Sequence, residues 1–199
     1  MAWEYGQQIW NALMTEIDNE YGVAGLMGNL SAESGLIPYR LQGDFSTGYT
    51  TSLNYTQTVD NGTVTEYDFV NNGPNGGGYG LAQWTFPSRK QALYNMKQSM
   101  GVSIGNIDLA LTYLIYELNN SYTSVLNTLK NATSIREASD VVLHDFENPA
   151  DQSESVEILR AGIGQNIYDE YSGGVIPPTP KKKKSKSYLY GLKRRIIIQ

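Results

Sequence analysis

A chain of 199 residues, 40% apolar and 18% charged, can bury one sizeable core and has the balance of an ordinary globular protein. It has no cysteine and one histidine, His144, so Cys–His hydrolysis is excluded and a zinc hydrolase lacks its usual pair of ligands. The formal charge of −5 averages two unlike parts: 7 basic against 20 acidic residues up to position 180, then 8 basic and no acidic residues from 181 to 199.

The opening MAWEYGQQIW has neither a basic start nor an apolar run, so it does not read as a signal peptide, and no later run is long enough to span a bilayer. Trp3, Ile9, Trp10, Leu13, Met14 and Ile17 recur at helical spacing and predict a first amphipathic helix. A second helix is expected from about Asn19 to Ser34. It carries Gly22, Gly25 and Gly28 three apart. Glycine is unfavourable inside a helix, so another backbone or a ligand should approach that face closely.

Residues 40–78 are rich in Gly, Thr, Asn, Tyr and Ser. Within them TQTVDNGTVTEYDFV predicts a β-hairpin turning at Asn61-Gly62, and NNGPNGGGYG reads as a flexible loop. Helical patterns return over Pro87–Met100 and Asn106–Asn119. Ser134-x-x-Glu137 predicts a capping box opening a helix through Val141, Val142 and Phe146. Asp151-x-x-Glu154 predicts the start of a last helix, with Val156, Leu159, Ile163 and Ile167 facing inward. The expected domain is 1–171, followed by a Gly/Pro linker over 172–180 and a basic tail, 181–199, read as disordered.

Glu33 stands out because an apolar helical pattern runs straight into it before Gly35 and Pro38 stop the helix. The negative end of the helix dipole and partial burial both disfavour a charged carboxylate. A carboxyl that keeps its proton near neutrality is a usable general acid, the group that glycosidic bond cleavage requires. The 15 Tyr and 3 Trp supply ring faces of the kind that pack on sugars, though core packing accounts for many of them.

Three short motifs occur in order: AESG at 32–35, GYGLAQWT at 78–85 and FENPAD at 146–151. Together they resemble the phage tail and endolysin lysozyme domain of the lysozyme superfamily. That group is related to goose-type lysozymes and lytic transglycosylases, and the likeness spans roughly residues 5–171. The resemblance implies an α+β, lysozyme-like fold, mostly helical with a small β-hairpin insertion. It implies a muramidase that hydrolyses the β-1,4 bond between amino sugars of peptidoglycan, with no metal or cofactor. Glu33 maps to the proton donor and Gln83 to a residue lining the cleft. Tyr79 and Trp84 flank Gln83 as candidate sugar-stacking rings, with core packing as the competing role.

The second carboxylate is open. Asp44 is preferred because the short loop LQGD keeps it near the helix end; Asp60, Glu66, Asp68 and Glu147 are alternatives. A transglycosylase would use the sugar's own 6-hydroxyl and need no base for water. A wall-binding module that keeps the cleft without chemistry is the rival from another class. Gly101-Val102-Ser103-Ile104-Gly105 fits the serine hydrolase elbow, and Ser103, Asp140 and His144 fall in the matching order. A helical stretch precedes the motif where a strand is required, so a loop between two helices explains it better. The expected partner is peptidoglycan, with no nucleic acid. The tail has three readings: a contact with anionic wall polymers or lipid headgroups, the start of a spacer to another domain, or a solvated, disordered end. The expected state is a monomer, carried by a virion or released through a holin.

Overall fold

A computed structural model describes residues 3–44, 50–72 and 77–173. Ser172 and Gly173 apart, the expected linker and tail lie outside the described residues, as does part of the glycine-rich loop. The architecture is built around a helix that is buried on all sides over its middle turns. Helix α1, Gly6–Ile17, lays Ile9, Trp10, Leu13 and Ile17 into the core. Helix α2, Glu20–Ser34, follows after Asn19, whose side chain accepts hydrogen bonds from the amides of Tyr21 and Gly22 and so caps the new helix. Every residue of α2 from Gly22 to Leu30 is buried, so no polar stripe marks it in the sequence.

The three glycines of α2 each meet a different neighbour. They face α6 (Thr123–Asn131), α7 (Ile135–Val142) and α8 (Glu154–Tyr171) in turn. A Cβ on Gly22 would lie 2.1 Å from Leu129 O, one on Gly25 2.5 Å from the Ala138 Cβ, and one on Gly28 2.5 Å from Arg160 O. The close approach expected from the spacing is therefore made by protein on all three sides. Helices α4 (Pro87–Met100) and α5 (Ile107–Asn120) complete the body, and a π-helical turn, Leu143–Glu147, extends α7.

The expected hairpin is absent. Thr50–Asp60, which includes its first arm, is helix α3, and the second arm ends in a π-helical turn, Asp68–Asn72. Ser52, Thr56 and Val59 form a buried face at helical spacing. The Thr56 hydroxyl donates to Ser52 O at 2.9 Å, so a β-branched polar residue is satisfied inside the helix. Asn61-Gly62 follows the helix end, with Gly62 at φ 81°. The same left-handed geometry serves a hairpin turn or a helix stop, and the sequence does not separate the two. Among the described residues the β content is two isolated antiparallel bridges, Leu41 with Tyr79 and Tyr79 with Trp84.

Helix α8 also departs from expectation. Its N-cap is Ser153, and Asp151 instead accepts from the Ser153 amide at 3.0 Å. Its buried residues are Arg160, Gly164, Ile167 and Tyr171, while Leu159 is 61% exposed. Close backbone contact with α2 fixes the rotation of α8 and puts small Gly164 at the contact, where an apolar side chain would not fit.

Gly28→Ala forces a Cβ onto the α8 backbone and is expected to destabilise by about 1–3 kcal/mol despite the gain in helix propensity. Gly162→Ala, with nothing within 4 Å of the new Cβ, should stabilise by about 0.5–1 kcal/mol. Urea unfolding midpoints of the two variants check both signs.

Candidate active site

Glu33 occupies the last turn of α2. Gly35, at φ 66°, and the fully buried Leu36, at φ 63°, then place two successive residues in the left-handed region. A non-glycine residue is strained there and is held by its burial. The reversal ends the helix immediately beyond Glu33. The carboxylate is partly open, and its Oε1 accepts from Arg160 Nη2 at 2.5 Å. Arg160 also donates to Asn29 Oδ1, and Asn29 donates to the Ser139 carbonyl and hydroxyl, each at 3.0 Å. One buried polar chain thus runs from α7 through α2 and α8 to Glu33. The sequence reading, which considered only the helix end and burial, did not include this cation.

The second wall is the segment around Gln83. Tyr79 and Trp84 exchange backbone hydrogen bonds, 3.1 and 2.9 Å, closing a tight loop. Gly80 turns it at φ 84°, and Gln83 sits at φ 47°. A Cβ on Gly78 would lie 2.7 Å from Gln83 O, so the loop needs its glycine. The Gln83 Nε2 donates to Arg40 O at 3.1 Å and Gly80 O at 3.0 Å. With its amide protons given to backbone, the carbonyl oxygen is what Gln83 can offer a ligand.

Glu33 and Gln83 line one open cleft of about 310 Å³, together with Gln42, Phe86, Arg89 and Glu147. Phe86, immediately before α4, is 68% exposed. Arg89 makes two hydrogen bonds to Glu117 on α5, at 2.6 and 2.7 Å, and its guanidinium lies 5.0 Å from the Phe146 ring centre. Burial opposes the Arg89 charge, but Glu117 outweighs it and raises its pKa. Glu147 is different. Its Oε1 is buried without a hydrogen-bond partner. Burial first, and the nearby charge of Glu33 second, push its pKa up to about 8, against the pull of Arg160 and Arg89.

The other residues singled out in the sequence lie elsewhere. Tyr79 and Trp84 are 1% and 0% exposed. The Tyr79 hydroxyl meets Thr56 Oγ1 at 2.6 Å, and Trp84 Nε1 donates to Glu117 at 2.7 Å. Neither ring has a face open to a sugar. Asp44 is buried and accepts from the Ser52 amide and hydroxyl in the first turn of α3, at 2.8 and 2.5 Å. Its neighbours Gln42 and Gly43 line the cleft. Asp60 binds Ser103 and the Ile104 amide, Glu66 accepts from Gln91, and Asp68 accepts from Thr65 and Asn72. The elbow triad is not assembled: Ser103 pairs with Asp60, Asp140 with Arg136, and His144 with Gln152 and Glu157.

Arg160, Arg89 and Phe86 were not anticipated. Arg160 had a usable signal, as the only basic residue in α8 and one turn before Gly164. Among the described residues no group of three His, Asp or Glu side chains could hold a metal ion, and no helix is long and apolar enough to cross a membrane.

The family model of phage tail lysozymes matches residues 4–171, and the chain belongs to that family. No curated protein matches it.

The Glu147 carboxyl ionises near 4.5 when solvated and near 8 in the folded chain. Between those values the folded state keeps a proton that the unfolded state has lost, so its contribution to stability fades as pH rises through the window. Thermal unfolding followed from about pH 5 to about pH 8 should show wild type losing stability, with a shallower loss in Glu147→Gln. His144, whose pKa is raised by hydrogen bonds to Gln152 and Glu157, adds a slope of the same sign to both proteins.

Proposed function

We propose, on the premise that this chain is a phage tail lysozyme domain acting on the bacterial cell wall, that it is a lysozyme-like muramidase with Glu33 as its general acid. The substrate is the glycan strand of peptidoglycan, bound in the cleft between the end of α2 and the Gly78–Trp84 loop. The observation that carries the reading is the meeting of Glu33 and Gln83, from distant segments, in one solvent-open cleft of sugar-binding size. Arg160 orients the carboxyl through Oε1, leaving Oε2 toward the departing oxygen. Protonation of that oxygen lets the bond to the anomeric carbon break through an oxocarbenium-like transition state.

Phe86 takes the role that the sequence suggested for Tyr79 and Trp84. Its ring is exposed on the cleft and can pack against the C–H face of a sugar. Asp44 serves the cleft from behind, by tying the Gln42–Gly43 wall to the first turn of α3. The basic tail, with 8 positive charges, would hold the acidic body near anionic wall polymers.

Digestion of purified peptidoglycan followed by mass spectrometry tests the reading. Wild type should release new reducing ends, and Glu33→Gln should lower the rate by about 10²–10⁴-fold or more. Cut peptides, or full activity in Glu33→Gln, would overturn it. Phe86→Ala should weaken binding to insoluble wall by about tenfold while the bond cut remains the same, as a sedimentation assay would read.

A further inference from the structure

Glu147 is the one cleft carboxyl with no cation of its own. Its backbone is fixed on both sides. It ends the π-helical turn that extends α7, and Asn148 follows at φ 49°, with its amide bonded to Leu143 O at 2.9 Å. The preceding Phe146 is edge-packed against Tyr122, ring centres 4.8 Å apart, and lies under Arg89. The side chain reaches the cleft that Glu33 lines, with Oε1 buried and unbonded. A buried oxygen without a partner is costly, and a group that enters the cleft can complete it.

The charged groups around Glu147 come from four other elements: Glu33 on α2, Arg89 on α4, Glu117 on α5 and Arg160 on α8. Arg160 is committed to Glu33 and Asn29, and Arg89 to Glu117. On its own turn, His144 is engaged by Gln152 and Glu157, and Asp145 is exposed. Glu33 is thus paired with Arg160, and burial beside it favours the protonated form of Glu147.

We propose that Glu147 is the second carboxyl of the reaction, lending Glu33 the proton that goes to the glycosidic oxygen and taking one back from the attacking water. This rests on the glycosidase reading of the cleft. The cycle balances. A proton moves from the Glu147 carboxyl to the Glu33 carboxylate through water in the cleft. Glu33 passes it to the leaving oxygen as the bond from that oxygen to the anomeric carbon breaks. Water adds to the anomeric carbon and gives its proton to the Glu147 carboxylate. Both residues return to their starting forms without net proton exchange with solvent.

The test compares wild type, Glu33→Gln, Glu147→Gln and Glu147→Ala on purified peptidoglycan. An amide has the shape of a neutral carboxyl, so Glu147→Gln is expected to unfold no earlier than wild type, which thermal melting checks. Its turnover should fall by about 10²–10⁴-fold. Azide attacks without losing a proton and a dinitrophenolate departs without gaining one, so on a dinitrophenyl glycoside of the same amino sugars azide should restore turnover to Glu147→Ala and yield a glycosyl azide, while Glu33→Gln gains nothing. Wild-type turnover in Glu147→Gln, or a folded Glu147→Ala that ignores azide, overturns the role of Glu147 and leaves the glycosidase reading standing. No cut in the glycan by wild type overturns both. 1,6-Anhydro ends from wild type overturn the water step.

Discussion

The close approach of α8 to α2 at Gly28 is the constraint on which the cleft depends. Arg160 O and the Gly164 backbone occupy the space that a side chain on Gly28 would fill. That contact sets both the distance between the helices and the rotation of α8. With the rotation fixed, Arg160 lies over the last two turns of α2, one guanidinium nitrogen on Asn29 and another on Glu33. A wider helix pair would carry the guanidinium away from both. The glycine that is unfavourable for α2 as an isolated helix is thus what brings the cation to Glu33.

The polar groups beneath the cleft are arranged so that little is left unpaired. Asn29 and Ser139 are fully buried yet bonded to each other and to backbone. Glu117 accepts from Trp84 Nε1 and from Nε and Nη2 of Arg89. Buried networks of this kind fix geometry when every member is satisfied. One joins α2, α7 and α8 and the other joins α4, α5 and the Trp84 loop, so each wall of the cleft is set before any ligand arrives. The Glu147 oxygen stands out against that background.

Much of this was legible in the sequence wherever local chemistry decides local structure. Caps at Asn19, Asn106 and Ser134 start their helices where expected, and the glycine spacing in α2 announced close neighbours. The position of Glu33 at a helix end was legible because Gly35 stops the helix directly afterwards. The misreadings share one cause, which is that tertiary packing decided between local alternatives. Thr56 and Val59 have strand-like side chains, but burial at helical spacing made them helical. Tyr79 and Trp84 are aromatic and adjacent to Gln83, but the tight loop turns both rings into the core. Leu159 fits an apolar pattern, but the rotation of α8 gave its place to Arg160. No periodicity in α8 alone contains that rotation, because it is set by a glycine on a different helix.

Counting charges around the cleft explains why its three carboxyls are not equivalent. Glu33, Glu117 and Glu147 share a neighbourhood that holds two guanidinium groups. Arg160 reaches Glu33 and Arg89 reaches Glu117, each at hydrogen-bond distance. A third carboxylate would add a negative charge in a poorly solvated place with no cation within bonding distance, which burial opposes strongly. Protonation is the cheaper state for that carboxyl. Which residue takes it follows from reach: FENP puts Glu147 at the end of a turn whose Phe146 holds Arg89 by its ring face, and that guanidinium is turned toward Glu117. The sequence shows a glutamate in a tight motif, and only the packing shows that both neighbouring cations are already engaged.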